Sequence, residues 1–173
     1  MPGHKKESRE EAVMDVEIVL AYDRPKEVES LFSEYTHMLI AGDRSFQEYL
    51  DIQHYEDELK ELNKKYGRPW GRLYLAYYKG EAAGCIGLRK IDVKNCEMKR
   101  LYVRPRFRGK KIGNQLIQRI LEDAREIGYS YMLLDTLPFL ESAIHMYQKY
   151  GFYEIESYND SPMSSSIYMR LDL

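Results

Sequence analysis

The sequence predicts an α/β fold on a central mixed sheet, and three features carry that expectation. Seven short stretches read as strands, and four longer ones repeat their apolar residues at helical spacing. They follow one another as β, α, α, three strands, α, β, α, two strands. The chain has 173 residues, 44% hydrophobic and 31% charged, which is ordinary for one globular domain with a sizeable core.

Each element has a local reason. Residues 1–12 read as a mobile tail of mixed charge, and residues 13–173 as a single domain. Asp15 to Tyr22 alternates as a first strand. Pro25 suits the first turn of a helix whose stripe is Val28, Leu31, Phe32, Tyr35 and Leu39, with Gly42 as its stop. Ser45 and Glu48 form a capping-box pattern that opens a second helix. Its stripe, Ile52, Tyr55, Leu59, Leu62 and Tyr66, predicts one continuous helix up to Gly67 and Pro69. Leu73 to Tyr77 and Ala82 to Leu88 flank a Lys79-Gly80 turn and read as a hairpin. Asp92 to Asn95 connects to a strand from Cys96 to Val103. A helix from about Gly109 buries Ile112, Leu116, Ile117, Ile120, Leu121 and Ala124. Tyr131 to Asp135 is a short apolar strand, Glu141 to Tyr150 a helix closed by Gly151, and two strands follow around Tyr153 to Tyr158 and Ser166 to Asp172.

Composition excludes several classes. A net charge of −2 argues against a dedicated nucleic-acid binder. No apolar run approaches the ~20 residues of a membrane helix, and the polar N-terminus lacks a signal peptide's apolar core, so a cytoplasmic protein is expected. Two cysteines, Cys85 and Cys96, make neither a disulfide framework nor a metal spacing, and read as buried free thiols. His4, His37, His54 and His145 are scattered without ligand spacing, so no metal is expected. Ser164, Ser165 and Ser166 show no nucleophile-elbow pattern.

The basic charge is concentrated. From Lys99 to Lys111 there are seven Lys or Arg and no Asp or Glu. This stretch joins a strand to a helix through a glycine-containing turn, where backbone N–H groups and the helix dipole converge on an anion. Helix starts ordinarily collect acids, so the charge pattern runs against the default of a merely solvated turn.

Arg108-x-x-Lys111-x-Gly113 resembles the R/Q-x-x-G-x-G/A diphosphate loop of the GNAT superfamily of acyl-CoA-dependent N-acyltransferases. Ala143-x-x-x-Tyr147-x-x-x-Gly151-Phe152 resembles the same superfamily's A-x-x-x-Y-x-x-x-G-F helix, in the family's order and at about its separation. The resemblance implies a mostly antiparallel sheet of about seven strands flanked by four helices. It also implies that the strand ending at Val103 splays from the one at Leu133 to Asp135. Acetyl-CoA is then the expected co-substrate, with its diphosphate on Arg108, Gly109, Lys110, Lys111, Ile112, Gly113 and Asn114. Its pantetheine arm would lie along Leu101, Tyr102 and Val103, in the manner of strand addition, and near Ala143. Two residues depart from the pattern. Lys111 replaces a glycine, and ordinary helical angles are expected there because a left-handed lysine costs on the order of 1 kcal/mol. Leu140 stands where many members carry a cofactor-binding Asn.

The resemblance makes Glu97 the candidate general base, directly or through a water, and Tyr147 the candidate acid that protonates the thiolate. Glu97 alternates along the strand with Lys99, Leu101 and Val103, and its structural alternative is an ion pair with Lys99 or a neighbouring strand. Tyr147 shares a core stripe with Ala143, Met146 and Tyr150. Asp135 and Thr136 line the expected splay or cap the next helix, and covalent transfer through Cys96 is disfavoured against direct transfer in a ternary complex. The acceptor is expected to be a primary amine of a small molecule or peptide. It would be shaped by the first two helices, which carry Glu48, Asp51, Glu56, Asp57 and Glu58, and by the Asn159–Met163 loop. The chain would act as a monomer or homodimer. The competing expectation is a non-catalytic acyl-CoA-sensing or partner-binding module on the same fold.

Overall fold

The structure is a computed structural model that describes residues 15–52, 54–161 and 163–173; the expected tail lies outside them. Seven strands, β1 (Val16–Leu20), β2 (Arg72–Tyr78), β3 (Glu81–Lys90), β4 (Asn95–Val103), β5 (Tyr131–Thr136), β6 (Tyr153–Ile155) and β7 (Ile167–Asp172), form one sheet. Its order is β1-β2-β3-β4-β5-β7-β6. Every neighbouring pair is antiparallel except β4 and β5, which are parallel.

The helices are α1 (Pro25–Gly42), α2 (Phe46–Ile52), α3 (Tyr55–Lys60), α4 (Leu62–Tyr66), α5 (Ile112–Ile127) and α6 (Glu141–Lys149), with a 3-10 turn at Pro105–Phe107. The single second helix expected from the sequence is therefore three short ones. His54 enters the left-handed region (φ 56°), and Glu61 leaves helical angles (φ −132°, ψ 64°). Of the expected stripe, Tyr55, Leu62 and Tyr66 are buried in one cluster and Leu59 packs partly buried against it. A straight rod of that length would span roughly 30 Å and run off the sheet. The breaks fold the stripe back onto it. The expected capping box also gives way, because the Ser45 hydroxyl and N–H both donate to Asp43 Oδ1 (2.6 and 3.1 Å).

Two cores sandwich the sheet. One packs α5 and α6 against Tyr74, Ala76, Ile86, Leu88, Cys96, Met98 and Met132. The other packs α1 to α4 against Leu73, Leu75, Cys85 and Tyr102. β4 changes phase between them. Arg100 sits in the left-handed region (φ 60°), and the β3–β4 register shifts between Cys85 and Gly87. This bulge sends Tyr102 to the α1 side, while Leu101 and Val103 join the α5 side with Cys96 and Met98. The simple alternation expected for Glu97, Lys99, Leu101 and Val103 is thus broken at Arg100, so these four residues do not share a face.

The bulge accompanies an opening of the sheet. β4 pairs with β5 only from Asn95↔Tyr131 to Glu97↔Leu133. Beyond that point no β4–β5 ladder pair forms, although β4 continues to Val103 and β5 to Thr136.

Candidate active site

A cleft of about 730 Å³ follows the opened strand. Leu101, Tyr102 and Val103 line one wall, Tyr35 and Met38 of α1 another, and Ala143, Met146 and Tyr147 of α6 the far side. Arg108, Gly109, Lys111, Ile112, Gly113 and Asn114 close one end. Of the residues expected to hold a cofactor, Lys110 alone does not line the cleft. Its ammonium turns away from the cleft, 3.3 Å from the Tyr78 hydroxyl and 4.5 Å from the centre of that ring.

At this end the chain presents donors. The backbone bond entering α5 runs from the Gln115 N–H to Lys111 O (3.1 Å), so the N–H groups of Ile112, Gly113 and Asn114 precede the helical ladder. Lys111 is the N-cap and takes left-handed angles (φ 59°, ψ 24°), against the helical angles expected for it. The lysine therefore adopts the conformation its glycine counterpart would, and the strain is held by the loop on one side and the packed α5 on the other. Gly109 is also left-handed (φ 82°). Gly113 is different. A Cβ there would find only ordinary contacts, 3.6 Å to Met146 Cε and 3.8 Å to Val103 Cγ2, so nothing in the chain itself demands glycine. Close approach of a ligand to that backbone would.

Tyr147 stands where the cleft meets a smaller inner pocket of about 40 Å³; Tyr35, Leu101 and Leu140 line both as well. Its ring packs on Phe152 at 5.8 Å, as the core stripe predicts, and burial raises the pKa of its hydroxyl. Among the described residues no hydrogen bond is found for that hydroxyl.

Glu97 is elsewhere. It is 1% exposed and lines neither cavity. Arg89 Nε donates to its Oε1 at 2.6 Å, Lys99 Nζ stands 3.7 Å away, and the Tyr158 hydroxyl donates to Oε2 at 2.5 Å. Burial works against the carboxylate, yet Lys99 and Arg89 outweigh it and bring the pKa down to about 2. A second carboxylate, Glu58 of α3, is held in the same way by Arg100 (Nε–Oε2 3.0 Å) and Lys65, and its pKa too is lowered to about 2. The sequence could suggest neither Tyr158 nor Glu58 as a partner, since they lie 61 and 42 residues from the groups they bind. Tyr35, spaced as a core residue of α1, gave no sign of lining a cleft.

Cys85 and Cys96 are buried, and burial pushes both thiols up to about 12, so neither is a thiolate near neutrality. Among the described residues no group of three or more His, Cys, Asp or Glu could hold a metal. Among them, too, no helix is long and apolar enough to cross a membrane.

A parallel strand pair that opens halfway along, beside a helix start rich in N–H donors, places the molecule in a recognisable α/β class. The sequence profile described as the Acetyltransferase (GNAT) family matches residues 29–152, and the chain belongs to that family. An uncharacterized N-acetyltransferase of Schizosaccharomyces pombe is 40% identical over 126 residues, covering 72% of this chain and 77% of the relative. A crystal structure of an acetyltransferase from Streptococcus agalactiae superposes with a TM-score of 0.72 over 92% of this chain and 99% of that one, at 22% identity. A GNAT family acetyltransferase from Elizabethkingia anophelis, crystallised with acetyl-CoA bound, is 26% identical over 60% of this chain and 76% of its own, with a TM-score of 0.51. The protein is an acyl-CoA-dependent acetyltransferase.

Proposed function

We propose that this enzyme transfers an acetyl group from acetyl-CoA to a primary amine, directly, in a ternary complex. One observation carries the reading: a single cleft joins the free N–H groups of 112–114, the opened edge of β4 and the Tyr147 hydroxyl. The residues fit acetyl-CoA. Gly113 leaves room for a diphosphate against the backbone, Arg108 and Lys111 add charge, and the edge from Leu101 to Val103 offers amide partners to pantetheine. Acetyl-CoA bound to the Elizabethkingia relative supports the same co-substrate.

The chemistry assigned to the chain is limited. A lysine-like amine is only about 0.04% neutral at pH 7, a penalty of roughly 4–5 kcal/mol, so the acceptor must shed a proton before attack. The amine nitrogen then forms its bond to the carbonyl carbon, the C–S bond breaks, and the thiolate takes a proton or hydrogen bond from Tyr147. Glu97, saturated by Arg89, Lys99 and Tyr158, is better suited to hold those groups in place than to accept a proton. We therefore assign it the ion-pair role.

Calorimetry with acetyl-CoA tests the placement. One equivalent is expected to bind per chain, more weakly as salt is added. Arg108→Glu is expected to cut affinity at least tenfold without lowering Tm. Undiminished affinity in a folded Arg108→Glu protein would overturn the placement.

A further inference from the structure

Beyond the last β4–β5 ladder pair, Glu97↔Leu133, the next in-phase positions are Lys99 and Asp135. Side chains two apart on a strand share a face, so both stand on the α1 side where the sheet opens. Both line the inner pocket behind Tyr147. Lys99 is 6% exposed and is held beside Glu97 (3.7 Å), while Asp135 receives a 3.3 Å hydrogen bond from Asn159 of the C-terminal loop. The pocket thus offers the Lys99 ammonium, with the Glu58-paired Arg100 beside it, and one carboxylate, on diverging strands.

Its volume of about 40 Å³ is room for two or three waters, enough for a small polar head group and too little for a folded-in peptide chain. Around it, Leu39, Phe46, Leu134 and Leu137 are apolar. Resting on the acetyltransferase reading above, we infer that the acceptor is a free amino acid with a neutral side chain, its carboxylate held by Lys99 and its amino group directed to Asp135.

The electrostatics favour this over a polyamine. In the buried belt that runs from the pocket wall inward, Arg89, Lys99, Arg100 and Lys65 are paired with two carboxylates, Glu97 and Glu58, and of the four cations Lys99 and Arg100 line the pocket. The cations strain against one another: burial first, and then Lys99, bring the Lys65 pKa down to about 7. An arriving carboxylate relieves that repulsion, whereas a second ammonium adds to it. The step balances without another reagent. One proton of the acceptor ammonium passes to Asp135 and on to water, the neutral nitrogen displaces the thiolate, and the second nitrogen proton, lost as the amide forms, replaces the one that Tyr147 gives to sulfur, so that one proton is released overall.

The test compares kcat/KM for leucine and leucinamide, which share an amine and differ in the carboxylate. The measured quantity is the acid-to-amide ratio of the native enzyme divided by that of Lys99→Met, which cancels the intrinsic difference between the amines. The expected quotient is tenfold or more, and a quotient below about twofold overturns the inference. Should Lys99→Met not fold, inhibition of the native enzyme decides: 4-methylpentanoate should compete with leucine and 4-methylpentanamide should not, and equal inhibition by both overturns it. Acetyl-CoA binding is measured alongside. Its absence would sink the parent reading, whereas binding without acetylation of any neutral amino acid sinks this inference alone.

Discussion

Tyr147 shows how one residue serves two purposes. Its ring fills the core beside Phe152, and its hydroxyl reaches the junction of the two cavities. Burial raises its pKa, so the phenol keeps its proton at every pH the enzyme meets and can donate to a developing thiolate. That interaction strengthens only as charge gathers on sulfur, which makes it a transition-state effect. Losing a hydrogen bond to a charged group costs about 1.5–3 kcal/mol, hence roughly a ten- to hundredfold loss of turnover. Tyr147→Phe is therefore expected to lower kcat by that factor and leave acetyl-CoA affinity within about twofold. Steady-state kinetics with calorimetry check both, and unchanged kcat would reduce the residue to packing.

At the scale of elements, the β4–α5 junction is shaped by what it must approach. Gly113 costs helix stability, since glycine is about 1 kcal/mol worse than alanine inside a helix. The surroundings would accept a methyl group at 3.6 Å from Met146, so the cost is not imposed by packing. Gly113→Ala is accordingly expected to raise the Tm of the free protein, by an amount equivalent to up to about 1 kcal/mol, and to weaken acetyl-CoA binding several-fold. Paired thermal melts and calorimetry read the opposite signs. A variant that gains stability and keeps full affinity would show that no ligand approaches this backbone. Lys111 makes the complementary compromise, keeping a positive charge at the loop while accepting a left-handed backbone (φ 59°).

For the whole molecule, two buried carboxylates tie the layers together. Glu58 reaches from α3 to Arg100 on β4, and Glu97 on β4 holds Arg89 of β3 and Tyr158 of the C-terminal loop. Both pKa values fall to about 2 in the folded chain, against roughly 4.3 unfolded. The stability this gives is complete above about pH 5 and drains away as pH falls towards 2, because protons then bind the unfolded chain more readily. Denaturant midpoints are expected to drop steeply from pH 5 to pH 3, to be level between about pH 5 and pH 6, and to rise above pH 7, where Lys65, lowered to about 7, sheds its proton in the folded chain before the unfolded one does. Glu97→Gln should lower the midpoint at pH 7, since breaking a buried pair costs about 3–5 kcal/mol, and should make the acid limb shallower. An unaltered acid limb would mean that the Glu97 pairs contribute nothing to holding the sheet and loop together.

Local periodicity and motif spacing already determined much of this protein. The order of strands and helices, the basic turn before α5, and the helix carrying Ala143 and Tyr147 all follow from interactions within a few residues. Such interactions leave their mark in the sequence. What the tertiary structure decided depends on contacts between distant segments. The left-handed Arg100 turned the face of β4 and separated Lys99 from Leu101, a phase change invisible to a period-two reading. The expected second helix broke at His54 and Glu61 so that Glu58 and Tyr66 could both reach the sheet. Glu97 drew Tyr158 from 61 residues away and became a buried ion pair rather than a lining residue of the cleft. A charge on a strand looks alike in sequence whether it faces a ligand or a partner. Only the packed neighbours determine which, because they set its solvation and its counter-charges.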